Sequence, residues 1–185
     1  MSIPHQEAAD ALREIQQAHH QSAVAYQYQK FSPHLFLWGV IWIVGYAVEY
    51  VRPTAAPIWF ALVPIGIIGS FWIGFWSKSD RSDRSAGGWQ YATTAVAIFL
   101  FISILFVILP PKSEAQIGAF FPILVALFYA LLGIWTRATR IALLAVVLAA
   151  LTVIGYLGLP QYFLLWMAGV GGGALILGGV WLRRI

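Results

Sequence analysis

The sequence predicts an all-α integral membrane protein: six transmembrane helices in three hairpins, both termini cytoplasmic, preceded by a cytoplasmic amphipathic helix. Three observations predict it. Hydrophobic residues fill 61% of the 185 positions and charged residues only 10%, against about 25% charged in an ordinary soluble domain. A soluble fold of this size exposes too much of its chain to hide that apolar content. The apolar residues also fall in continuous runs of spanning length, and the basic residues collect on alternate connections.

From Gln6 to about Phe31 the chain is polar with a helical pattern. Ala8, Leu12, Ile15, His19, Ser22 and Tyr26 recur at alternating spacings of four and three, with Ala11, Ala18 and Ala25 beside them. The stripe is narrow and rich in alanine. Glu7, Asp10 and Glu14 lie in the first turns, where the helix dipole favours anions. Ser32 reads as an N-cap and Pro33 as the first residue of the next helix, which divides the chain into an N-terminal helix over 1–32 and a membrane domain over 33–185. The first thirty residues carry no apolar h-region, so the first span is expected to be its own insertion signal.

Six apolar runs follow, from about Pro33 to Val51, Pro57 to Trp76, Trp89 to Leu109, Ile117 to Trp135, Thr139 to Leu157 and Tyr162 to Leu182. Each is near the ~20 residues that cross a hydrocarbon core. They are continuously apolar rather than alternating, which excludes a β-barrel.

With the N-terminus inside, the cytoplasmic segments hold Arg13, Lys30, Lys78, Arg81, Arg84, Arg137, Arg140, Arg183 and Arg184; the outer loops hold Arg52 and Lys112. Nine against two sets the orientation under the positive-inside rule and points to the cell inner membrane. Trp38, Trp76, Trp89, Trp135 and Trp181 fall at the inner interface, with Trp59 and Trp166 toward the outer one. The net charge of +4 is therefore a topology signal, and no nucleic-acid partner is implied.

Each hairpin turns outside at prolines (Pro53 to Pro57, Pro110-Pro111, Pro160) and returns to a Gly-x-Trp: Gly74 to Trp76, Gly133 to Trp135, Gly179 to Trp181. A threefold repeat and independent recurrence of common interfacial residues both account for this. In outline the three short-looped hairpins with glycine-rich second helices resemble the HdeD-type small bacterial inner-membrane proteins. The stretch Leu35 to Tyr46 (LFLWGVIWIVGY) is similar to the first span of many bacterial membrane proteins with a polar N-terminal helix. Neither resemblance brings a catalytic or binding motif, and the N-terminal helix is an addition to the HdeD plan.

Chemistry-bearing residues are sparse. Glu49 is the sole acidic residue of a span, one turn from Arg52 and Tyr46. An ion pair or interfacial anchor is the simpler reading, and a substrate-binding carboxylate the sharper one. His5, His19, His20 and His34 form no haem or metal set, since only His34 approaches a span and adjacent helical residues diverge by about 100°. Cysteine is absent. Ser70 and Ser103 have no histidine or carboxylate predicted at their depth, so no cofactor and no catalytic residue are expected. The glycine-rich stretch from Gly169 to Gly173 lacks the Lys-Ser/Thr of a phosphate loop and is expected to pack helices. Gly169 and Gly173 make one small-xxx-small frame, Ala168 and Gly172 the next, and Gly66, Ser70 and Gly74 a third. On this reading a bulky residue at Gly173 disrupts the last helix's closest contact.

The loop from Ser77 to Gly88 (SKSDRSDRSAGG) reads as a flexible link. In the N-terminal helix, Leu12, Ile15 and Tyr26 are candidate docking residues for a protein partner or a second copy; the bilayer is the remaining partner. Three functions fit: an accessory, interaction or regulatory subunit first, then binding or passage of a small neutral or apolar solute, then a lipid-modifying enzyme.

Overall fold

The computed structural model describes residues 5–76 and 88–184, and they are all-helical. Helix α1 runs His5–Val51, α2 Trp59–Trp76, α3 Gly88–Ile108, α4 Glu114–Trp135 and α5 Thr139–Gly158. The final helix is composite: α6 (Phe163–Trp166), a π-helical turn Met167–Gly171, then α7 (Gly172–Arg183). Five segments are long and apolar enough to cross a membrane: Val24–Val51, Pro53–Gly74, Glu114–Trp135, Thr139–Gly158 and Pro160–Arg183. In α3 the described apolar stretch is Val96–Ile108. The chain is thus a multi-pass membrane protein. Most of the basic loop, residues 77–87, lies outside the described residues.

The expected helix start at Ser32-Pro33 is not there: the 47 residues of α1 form one helix with Pro33 inside it. Proline removes the bond to the carbonyl of Gln29, but Gln29 is exposed at the helix surface. Water at the interface can satisfy that carbonyl, so the helix continues. Ser32 is instead fully buried, its hydroxyl donating to the Gly179 carbonyl at 2.8 Å. The boundary drawn at 32/33 falls within a helix about 70 Å long.

The core lies among α1, α4, α5 and the final helix, where Leu35, Ile141, Leu148, Phe163, Met167, Leu175 and Leu182 are fully enclosed. The closest pairs are α4 with α5 and α1 with α7. Sequence neighbours within a hairpin are therefore not always the tightest partners. Helix α3 rests on α4 through Phe106 against Phe120 and Phe121. Its Phe99, Val107 and Ile108, like Phe60 and Phe71 of α2, are left exposed, as lipid-facing residues are.

Loop chemistry sets the helix ends. Ser113 caps α4, its Oγ accepting from the Gln116 amide at 3.2 Å, with Glu114 in the first turn. The α4–α5 turn closes with the Ala138 amide donating to the Gly133 carbonyl, and Arg137 takes the left-handed conformation at φ 53°. That is the αL residue that ends many helices.

Candidate functional site

Polar chemistry gathers at the two ends of the bundle. Among the buried positions of α1, Tyr28, Ser32, Leu35, Gly39, Trp42, Tyr46 and Glu49 recur at spacings of four and three, with Ile41 and Gly45 buried beside them. One face of one helix therefore serves both ends.

At the Glu49 end, Trp59 enters at the start of α2 and lies on Gly45, where an added Cβ would come within 2.5 Å of the ring. Its indole donates to Glu49 Oε2 at 2.7 Å. Glu49 is only 6% exposed. Among the described residues it makes no ion pair with Arg52, which is exposed; the anchor is an indole, not a guanidinium. Tyr46 packs edge-on between Trp42 and Trp59, with ring centroids at 6.0 and 4.9 Å. Its hydroxyl donates to the Gly118 carbonyl at 2.8 Å, joining α1 to α4.

At the opposite end, Tyr28, Ser32 and Phe36 stand one turn apart and receive two arginines. Arg140 lies over the rings of Tyr28 and Trp181, at 5.8 and 5.1 Å. Its amide, one of the orphan donors of α5's first turn, donates to the Tyr28 hydroxyl at 3.2 Å. Its guanidinium donates to the Trp181 carbonyl at 3.2 Å. Arg183 donates through Nε to Ser32 Oγ at 2.9 Å and lies 4.8 Å from the Phe36 ring centre. A cation in the last turn of α7 also opposes that helix's dipole.

The expected packing residues separate. Gly66 lies against Trp38 and Ile41, and Ser70 accepts from the Trp38 indole at 3.1 Å, beside a shallow open groove of about 230 Å³ lined by Trp38, Ile67, Ser70 and Phe71. Gly74 faces open space. Gly169 and Gly173 do as well, so neither makes a close approach to another helix of this chain among the described residues. The close approach belongs to Gly172, whose added Cβ would lie 2.9 Å from the Gly39 carbonyl oxygen, while one at Gly39 would lie 3.0 Å from that of Gly172. The two frames differ by one residue, about 100° of helix rotation, and only the Ala168–Gly172 frame faces α1.

The three Gly-x-Trp glycines also differ: Gly74 is open, Gly133 meets the Ala142 backbone, and Gly179 meets Phe36. Leu12, Ile15 and Tyr26 are exposed, at 59%, 65% and 51%. Ser103 donates to the Phe99 carbonyl one turn back, and His34 lies beside Phe31. Among the described residues no three His, Cys, Asp or Glu groups converge on a metal position. Tyr28 carries no sequence expectation, Ser32 is expected only as an N-cap and Arg140 only as a topology signal. The signal for Tyr28 was its spacing of four from Ser32.

Comparison with models of known protein families, with curated proteins and with solved structures gave no match.

Proposed function

We propose that this chain is a non-catalytic bacterial inner-membrane protein of six spans, with both termini cytoplasmic, acting as an accessory or regulatory subunit through protein contacts. The observation that carries the reading is the continuity of α1. Its Tyr28–Glu49 face is held in the bundle, while Leu12 and Ile15 on the same continuous helix stand exposed. Whatever docks on the extension is thereby connected, with no hinge loop, to the packing of α1 against α4 and α7.

The six-span count draws support from α3, whose 21 residues extend about 32 Å, enough to cross the hydrocarbon core. Orientation draws support from Arg140 and Arg183, which share the end of the bundle from which the N-terminal half of α1 departs. Cysteines at Ser82 and Lys112 are expected to label from opposite sides, Lys112→Cys from outside in intact cells. Labelling of both from one side overturns the topology.

The functional test is deletion of residues 2–22, which spares Val24 and the buried Tyr28. The truncated chain is expected to insert and fold but to run as a smaller assembly in native mass measurements in mild detergent. Identical assemblies from full-length and truncated chains overturn the interaction reading.

A further inference from the structure

We propose that the N-terminal half of α1 pairs with the same segment of a second copy of this chain as a parallel, in-register two-stranded coiled coil; this rests on the interaction reading above and names its partner.

The first ground is register. The spacing of four and three from Ala8 to Tyr26 is a heptad, with Leu12, His19 and Tyr26 at a and Ala8, Ile15 and Ser22 at d. All four charged residues between His5 and Gln29 fall outside the seam and its flanks: Arg13 at b, Glu7 and Glu14 at c, Asp10 at f. The flanking e and g positions are Ala9, Ala11, Ala18, Ala23 and Ala25, with Gln16. Charges at e and g are what select a different partner or repel an identical one. A segment with none there presents no like-charge contact to its own copy, and its alanines let two backbones come close.

The second ground is facing. At Tyr28 the helix turns its buried face toward α5 and α7, where the Arg140 amide meets the Tyr28 hydroxyl. Tyr26 lies two residues earlier, about 200° around the helix, and is exposed. Leu12 and Ile15, on the Tyr26 side of the helix, are exposed too. The bundle therefore uses one heptad face of α1 and leaves the other outward.

The third ground is the membrane. Two copies inserted with one orientation project their extensions to the same side, so neighbouring helices can pair only in parallel, each residue opposite its counterpart. A seam with Ala8, His19 and Ser22 among its core positions is weak for free peptides. Confinement of both chains to one bilayer raises their effective concentration and offsets that weakness.

The chain has no cysteine, so single substitutions report contact directly. In native membranes under mild oxidation, full-length Leu12→Cys and Ile15→Cys are expected to give disulfide-linked dimers, and Glu14→Cys, at an outer position, only background. Adding Ile15→Asp to the Leu12→Cys chain is expected to abolish its cross-link. These are exposed helix positions, so folding is not at stake. Equal cross-linking at 12, 14 and 15, or none at 12 and 15, overturns the coiled coil. If the seam cysteines stay unlinked while the 2–22 deletion loses a different protein, the coiled coil falls and the interaction reading stands.

Discussion

The Tyr46 hydroxyl donates to the carbonyl of Gly118 at 2.8 Å, and Gly118 is the residue whose helical donor is missing. Within α4 that carbonyl would accept from residue 122, which is proline and has no N–H. A side chain from α1 thus completes the backbone of α4 at a partly buried position. Tyr46→Phe is expected to lower stability by about 1–2 kcal/mol, the range for leaving a buried carbonyl unpaired in a membrane helix. In a Pro122→Ala background the same change is expected to cost much less, because residue 122 then supplies the donor. Equal losses in both backgrounds, measured by thermal unfolding in detergent, would refute the relationship.

Gly172→Leu is expected to destabilise by about 1–3 kcal/mol or more, since the side chain would enter the Gly39 backbone. Gly173→Leu is expected to be nearly neutral, as its Cβ meets nothing. A melting-temperature comparison of the two variants decides between the frames.

Trp59→Phe removes the indole donor from a carboxylate that is 6% exposed. The expected loss is about 1–3 kcal/mol, the range for orphaning a buried polar group. Glu49→Gln retains an acceptor for the indole and is expected to cost less than Trp59→Phe. Unfolding followed by tryptophan emission of Glu49→Gln and Trp59→Phe checks the order, and a larger loss for Glu49→Gln would contradict it.

Arg137 occupies a left-handed backbone conformation at φ 53°. A β-branched residue there is a steric outlier, so Arg137→Ile is expected to destabilise by about 1–2 kcal/mol. Arg137→Gly is expected to be tolerated. If the two variants melt together, the turn has another conformation.

Particular residues show where the sequence was legible. The stripe from Ala8 to Tyr26 stands out because charged and amidic residues (Asp10, Arg13, Glu14, Gln16, Gln17, Gln21) interrupt the segment, so Leu12, Ile15 and Tyr26 have contrast. The other face, from Tyr28 to Glu49, has the same spacing but no contrast, because its neighbours Leu37, Val40, Ile43 and Val44 are equally apolar. Glu49 is visible as a lone carboxylate, but the sequence offers Arg52 as its partner, three residues along the chain and just past the end of α1. Trp59 reaches it only because the chain folds back and Gly45 leaves room for the ring. Ser32-Pro33 misled for a related reason: the pair suits a helix start, and the fold uses the serine to hold Gly179 and Arg183 instead.

The sequence by itself determined the all-helical membrane class and the apolar segments able to span, because moving a run of apolar side chains out of water is a one-dimensional property of that run. Only the tertiary structure decided which face of each helix packs: Gly172 rather than Gly173, Tyr28 rather than Tyr26, Trp59 rather than Arg52. Lipid tails are as apolar as a protein interior, so hydropathy cannot distinguish a helix face that meets lipid from one that meets another helix. That choice rests on close backbone approach and on which carbonyl lacks a donor, and neither can be read until the helices stand side by side.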